Sequence, residues 1–340
     1  MDNSKHITQI DFHSIKKILI VRLGKIGDLV VTSFVFEVLK EKYPHLDIHL
    51  LTLSSNKDVL KYNSRLTKVI YTKKNLSLYL KLLGLFNEQY DMILDFNDNP
   101  SNTSALIFKF VNARIKVGYD FPKYERYINF KVTPIKKENS HIIERMNNFL
   151  FQLGIEADEK LVKPFFYLGS NELTEVKTEL SLVSNSKHLI AVNISAGAKI
   201  RYWEIEKWNQ LLQSINDEYK NCFFILLSAE KDQMQQRQLA TSLGTENFIE
   251  CKLASIQHFA AYIKSSTILI TPDTSAVHIA SAFGIPTLAL YPNPQWNYIS
   301  WQPYRIAHRS IKSPTENIND ISVQEVFIKF KSLINEIGIN

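Results

Sequence analysis

The chain has 340 residues, 45% of them hydrophobic and 22% charged, with two cysteines and a formal net charge of +6. That length implies two domains, and that composition excludes a disordered or fibrous chain. Two cysteines rule out a disulfide framework, no apolar run is long enough to span a bilayer, and no signal peptide is legible. A reducing, cytoplasmic setting is therefore expected.

The charge is uneven. Residues 1–165 hold 25 basic and 18 acidic side chains, a surplus of seven, whereas residues 166–340 hold 15 and 16. Lys57, Lys61, Arg65, Lys68, Lys73, Lys74 and Lys81 are relieved within their stretch by Asp58 alone. Such a half favours anionic partners: phosphates, anionic lipid or nucleic acid.

In chain order, short apolar runs predict strands at 18–22, 48–52, 68–71, 91–95 and 115–118, the pattern of a sheet buried on both faces. Helices are expected at 28–43, 56–62, 75–87, 101–111 and 141–153, with Gly154 as a stop. Residues 155–167, with "KPFFYLG", read as a linker. The rhythm then restarts, with strands at 188–194, 222–228, 247–251, 267–271 and 286–291. Helices are expected at 204–219, 230–242, 255–264 and 274–283, then a final one over 322–337. Two α/β doubly wound parallel sheets in tandem follow, as domains 1–160 and 161–340, with the final helix free to pack back on the first. Ligands of such sheets bind at the carboxyl ends of the strands, and a cleft between the domains is the expected site.

Four stretches carry chemistry. In "VRLGKIGDLVVTS", residues 21–33, a strand turns through Gly24 and Gly27 into a helix start, where a phosphate would ordinarily bind, yet Asp28 stands there. Read alone, Asp28 is a helix-start acid favoured by the dipole. In "VNISAGAKIRYWEIEKW", residues 192–208, the small-residue loop Ser195-Ala196-Gly197-Ala198 precedes Lys199 and Arg201, cations suited to a diphosphate. Trp203 and Trp208 read as packing residues. In "LLSAEKD", residues 226–232, Asp232 is either a ribose ligand or a first-turn acid. In "ILITPDTSAVHIASAFGIPTLALY", residues 268–291, Asp273 or Thr274 caps a helix. The N–H groups of Thr274, Ser275 and Ala276 would then face a phosphate.

No metal site is expected: H-E-x-x-H is absent, and Asp95 and Asp98 in "LDFNDNP" read as a strand-end turn. Neither a P-loop nor G-x-G-x-x-G is present. A nucleic-acid module is missing too, so no nucleic-acid partner is expected.

Together these stretches resemble the lipopolysaccharide heptosyltransferases of glycosyltransferase family 9, over most of the chain from Ile18 onward. "ILIVRLGKIGDLVVTSFVFEVLKEKYP", "YDMILDFNDNPSNTSALI", "RIKVGYD" and "HIIERMNNFLFQLGI" look like the family's first-domain segments. "SAGAKIRYWEIEKWNQLL" and "TPDTSAVHIASAFGIPTLALY" look like its donor-side motifs. The resemblance implies a GT-B architecture of two Rossmann-like domains facing a cleft, acceptor-binding first and donor-binding second. It implies an inverting transferase that moves heptose from ADP-heptose to the lipopolysaccharide inner core, without cofactor or metal, peripherally on the cytoplasmic face of the inner membrane. Asp28 would be the general base and Arg201 would stabilise the departing diphosphate. Ser195, Ala196, Gly197, Asp232, Leu253, Asp273, Thr274, Ser275, Ala276 and His278 would complete the donor site. His278 has a packing role as its equal alternative. Lys57, Lys61, Arg65, Arg114 and Lys116 would meet the anionic acceptor and membrane surface. Three departures stand out: Ser275 where the family usually has glycine, Arg201 where many members have lysine, and Asn97-Asp98 in place of Gln-Gly. The alternatives are a family member with another nucleotide sugar or acceptor, and a non-catalytic GT-B-like binder of nucleotide or lipid.

Overall fold

Strand β1 (Lys17–Arg22) is buried over Ile18–Val21, and an all-apolar strand of this kind needs cover on both faces. Helix α1 (Ile26–Lys42) supplies part of that cover and is itself buried from Leu29 to Leu39. The structure, a computed structural model, describes residues 9–123, 125–183, 188–243, 246–251 and 253–339. The chain divides into two compact units, Met1–Lys163 and Pro164–Asn340.

The first unit continues with β2 (Asp47–Leu53), β3 (Lys68–Thr72), α2 (Leu76–Phe86), β4 (Tyr90–Asp95) and α3 (Asn102–Phe110). It closes with β5 (Ala113–Tyr119), β6 (Phe130–Val132) and α4 (Ile142–Gln152). All its strands pair in parallel, in the order β3-β2-β1-β4-β5-β6. The expected helix over 56–62 is instead two 3₁₀ turns, Ser54–Asn56 and Asp58–Leu60. So short a segment rarely sustains an α-helix, and the buried Asn56 amide is tied to Gly24 O (3.1 Å) and Thr52 Oγ1 (3.0 Å).

The second unit runs α5 (Ser170–Val183), β7 (His188–Asn193), α6 (Ile205–Glu218), β8 (Cys222–Leu227), α7 (Gln233–Ser242) and β9 (Phe248–Glu250). It continues with α8 (Ile256–Ser265), β10 (Ile268–Pro272), α9 (Ser275–Phe283), β11 (Thr287–Tyr291), α10 (Gln295–Trp301), β12 (His308–Lys312) and α11 (Val323–Glu336). Its six strands are also parallel, in the order β12-β11-β10-β7-β8-β9. Within each unit this is one topology, with the chain reversing its direction of winding between the first and fourth strands. Those reversals, β1 beside β4 and β7 beside β10, are where open sheets of this kind leave a crevice at the carboxyl ends.

Four elements were not anticipated. Strands β6 and β12 lie at sheet edges, and β12 reads "HRSIK", too polar to register as a buried strand. Helices α5 and α10 bury few apolar residues and carry a weak periodic signal. The final helix packs within the second unit. Val326, Phe330, Leu333 and Ile334 share the second unit's core with Trp203 and Trp208, so its apolar face is already covered there. The two tryptophans are packing residues, edge to face at 5.0 Å.

Candidate active site

At the carboxyl end of β1 the backbone passes through Gly24 into α1, and Asp28 occupies the third helical position. One carboxylate oxygen accepts the Lys25 N–H at 2.8 Å, while the other meets Arg22 Nη2 at 3.0 Å. Arg22 also donates to the Asp28 and Phe96 carbonyls, at 3.3 and 2.9 Å. The guanidinium is buried, but the Asp28 side chain keeps 29% of its exposure. Each oxygen retains a further lone pair for a hydroxyl proton. The helix-start reading of Asp28 is therefore correct as geometry and compatible with a chemical role.

Beside it, at the end of β4, Asp95 is fully buried, and burial pushes its pKa up to about 6. One oxygen accepts the Asn97 N–H at 2.9 Å and the other is buried without a hydrogen-bond partner. This is the expected strand-end turn. Asp98 is held by the buried Arg145 guanidinium, at 2.9 Å from Nη2, and so is not half of a metal pair.

In the second unit, Asn193 ends β7 and ties two loops together. Its amide donates to Thr271 Oγ1 at 2.9 Å, Thr274 Oγ1 at 3.3 Å and Ser195 O at 3.2 Å. Ser195 Oγ accepts the Ala229 N–H at 2.8 Å. Ala196 O takes the Lys231 ammonium at 3.0 Å and the Tyr202 hydroxyl at 2.8 Å; that hydroxyl also lies 3.0 Å from Asp232. Gly197 is exposed, and a Cβ added there would meet no protein atom within 4 Å. Ser195, Ala196 and Asp232 thus converge beyond β7 and β8, with Asp232 buried against Tyr202. Leu253 is half-buried in the loop after β9.

Arg201 reaches the start of α9. Its Nη1 lies 3.1 Å from Asp273 O and 3.2 Å from Asp273 Oδ2, and the latter also accepts from Asn297 at 2.8 Å. Burial raises the Asp273 pKa, opposed by Arg201 and Asn297. Thr274 is the helix cap. Its hydroxyl takes the Ala276 N–H at 3.3 Å, so that N–H is not available to a phosphate as expected; those of Thr274 and Ser275 remain. His278 is buried, with its ring 5.7 Å from that of Trp301, which favours the packing alternative.

Two of the five expected acceptor cations are otherwise engaged, and a third lies at the opposite end of the sheet. Arg65 pairs with the buried Glu37 at 2.9 Å. Lys116 donates to Phe108 O at 2.6 Å, in the last turn of α3, and desolvation lowers its pKa. Arg114 is exposed near the amino end of β5, the edge opposite Asp28. Lys57 and Lys61 are exposed on the turns beyond the carboxyl end of β2, with the Lys61 ammonium over the Tyr62 ring.

Sequence reasoning missed Arg22, Asn193, Tyr202 and Asn297. Asn193 left a trace, as the polar residue closing the apolar run "LIAV". Asn297 left none, because its partner Asp273 comes from another segment, whereas Arg22 stands only six residues before Asp28 and passes in sequence for a strand-end cation. Among the described residues no three His, Cys, Asp or Glu side chains group as metal ligands.

The model of glycosyltransferase family 9 (heptosyltransferase) matches residues 82–329, nearly three quarters of the chain. The chain belongs to glycosyltransferase family 9. This family 9 chain is 21% identical over 286 residues to a lipopolysaccharide core heptosyltransferase of Haemophilus influenzae, covering 81% of this chain and 79% of that protein. Its fold is similar to that of a family 9 glycosyltransferase from Veillonella parvula, with a TM-score of 0.80 at 17% identity, covering 94% and 97% of the two chains. It is also similar to the ADP-heptose lipopolysaccharide heptosyltransferase II of Escherichia coli, with a TM-score of 0.73 at 17% identity, covering 95% and 99%. The family 9 chain is thus a glycosyltransferase with the Rossmann-like parallel sheets of the GT-B fold. Among its described residues, no helix is long and apolar enough to cross a membrane.

Proposed function

We propose that this glycosyltransferase moves heptose from ADP-heptose to the sugar inner core of lipopolysaccharide, with inversion at the anomeric carbon. One observation carries the reading: the switch point of the first sheet holds the carboxylate of Asp28, and that of the second holds the Arg201 guanidinium beside a helix start. These are the two halves of a direct displacement. An acceptor hydroxyl attacks the anomeric carbon and its proton passes to Asp28. The bond to ADP breaks, with its electron pair leaving on the diphosphate oxygen.

Stabilising that developing charge is a large catalytic term. Arg201 and the Thr274 and Ser275 N–H groups supply it, and Asp273 orients Arg201. Because a guanidinium and helix N–H groups already match a diphosphate, the reading requires no metal and no cofactor. The Ser195–Gly197 loop lets phosphate or ribose approach the backbone. Asp232, with Tyr202, meets the ribose, and Leu253 borders the base. On the acceptor side, Lys57 and Lys61 meet inner-core phosphates or carboxylates at the cytoplasmic face of the inner membrane.

A thermal-shift panel of ADP, UDP and GDP, followed by transfer from ADP-heptose in excess EDTA, tests the reading. A ligand selective for the native state raises stability according to its concentration over its Kd. Selective stabilisation by ADP and transfer without metal are expected. Selective stabilisation by UDP would reassign the donor, and activity restored only by magnesium would overturn the metal-free displacement.

A further inference from the structure

Helix α2 has two apolar faces. Leu78, Leu82 and Leu85 are buried in the first unit's core. Leu76, Tyr79, Leu80, Leu83 and Phe86, at i, i+3, i+4, i+7 and i+10 spacing, are 53–71% exposed. Five of the thirteen large exposed apolar side chains described in the chain thus lie on this one 11-residue helix. A contiguous apolar face of this kind on a protein surface marks an interaction site.

The charge around it selects the occupant. Residues 59–87 contain no Asp or Glu, and of three exposed lysines Lys73 and Lys74 precede the helix and Lys81 lies on it. The acid that follows, Glu88, is neutralised by Lys17 and Lys68, each 2.5 Å away, which hold its pKa at about 2. A second copy of the chain on this face would set like-charged lysines against one another, whereas anionic lipid would complement them. At roughly 1.5 Å per residue the helix is far shorter than a bilayer's ~30 Å core, so it fits in the plane of the interface.

We propose that α2 docks the first unit on an anionic phospholipid bilayer, with Leu76, Tyr79, Leu80, Leu83 and Phe86 inserted among the acyl chains and Lys73, Lys74 and Lys81 among the headgroups. The identity of the membrane as the one bearing the acceptor rests on the reading above; the lipid contact itself does not.

Flotation of the full chain with vesicles of phosphatidylcholine, alone or mixed with phosphatidylglycerol, tests this directly. Binding to the mixed vesicles is expected, weakened but not abolished by salt. The double variant Leu80→Ser, Leu83→Ser should keep the circular-dichroism melt and lower the partition ratio by roughly tenfold or more per leucine. Lys73→Gln with Lys74→Gln and Lys81→Gln should remove the preference for the anionic vesicles. Transfer onto a soluble, lipid-free acceptor should be unchanged in the leucine variant, while transfer onto vesicle-borne acceptor falls. Unchanged vesicle binding in the leucine variant would overturn the proposal. So would a wild-type dimer in sedimentation that this variant converts to monomer without any vesicle binding. Vesicle binding without transfer from ADP-heptose would leave the docking surface standing and overturn only the catalytic reading, and the converse result would do the reverse.

Discussion

A methyl group on Gly24 would lie 2.5 Å from both Cβ and Cγ of Asp28: the glycine leaves open the space into which the carboxylate folds back. The Gly24 position is therefore about close approach, not about a phosphate. Gly24→Ala should displace the Asp28 carboxylate while leaving the buried strand behind it intact. A misplacement of about 1 Å costs up to ~10²-fold in rate, so kcat should fall by one to two orders of magnitude, as measured by transfer assay beside a melting curve. Wild-type kcat in a folded Gly24→Ala protein would remove Asp28 from the chemistry.

Asp28→Asn should lower kcat by ~10²–10⁴-fold, the usual contribution of a general base. ADP affinity, measured by titration calorimetry, should not change. Because the buried Arg22 loses its counter-charge, stability should also fall, by about 1–2 kcal/mol. Activity is best measured well below the variant's melting temperature. Turnover near wild type would refute the base assignment.

Arg201→Ala should reduce kcat/KM by ~10²–10³-fold, the scale of losing one charge-stabilising donor. Arg201→Lys keeps the charge but loses the planar guanidinium, whose Nη1 meets both Asp273 O and Oδ2 and whose other N–H groups stay available to a diphosphate. An intermediate defect is expected, recorded in steady-state kinetics with the donor varied. If Arg201→Lys performs like the wild type, charge alone matters; if it is as defective as Arg201→Ala, the guanidinium geometry is required.

Asp95 makes stability depend on pH. Its folded-state pKa, about 6, stands above the ordinary value of 3.8. The folded state therefore binds the proton more tightly, and this contribution is fully present below about pH 4 and lost as pH rises through 6. The size is ~2–3 kcal/mol. Denaturant unfolding of wild type and Asp95→Asn at pH 4 and pH 7 measures it. The wild type should gain relative to the variant at the lower pH, and a pH-independent difference would contradict the raised pKa.

Arg65 and the neighbouring lysines should separate. Arg65→Gln leaves the buried Glu37 without its partner, so stability should fall by about 1 kcal/mol, a figure discounted for the exposed guanidinium. Lys57→Gln with Lys61→Gln should leave stability unchanged and raise the acceptor KM, with a weaker salt dependence. Equal effects of the two on acceptor KM would show that Arg65 also reaches the acceptor.

The linear order of residues determined the two repeating α/β units, because strands buried on both faces must be apolar throughout and helices between them must carry a periodic stripe. The family motifs, Asp28 and Arg201 among them, were legible for the same local reason: a strand end, a small-residue turn and a helix start are contiguous in sequence. Edge strand β12 and helices α5 and α10 were not legible, since their few buried residues give no period to read. Only the folded chain decided what each charge meets. Lys116 and Arg65 look like any surface cation in sequence, yet one caps α3 and the other neutralises Glu37. Arg22, Asn193 and Asn297 gain their roles from partners 6 to 81 residues away. Hydrogen bonds and ion pairs act over a few ångströms of space, and distance along the chain does not predict that separation.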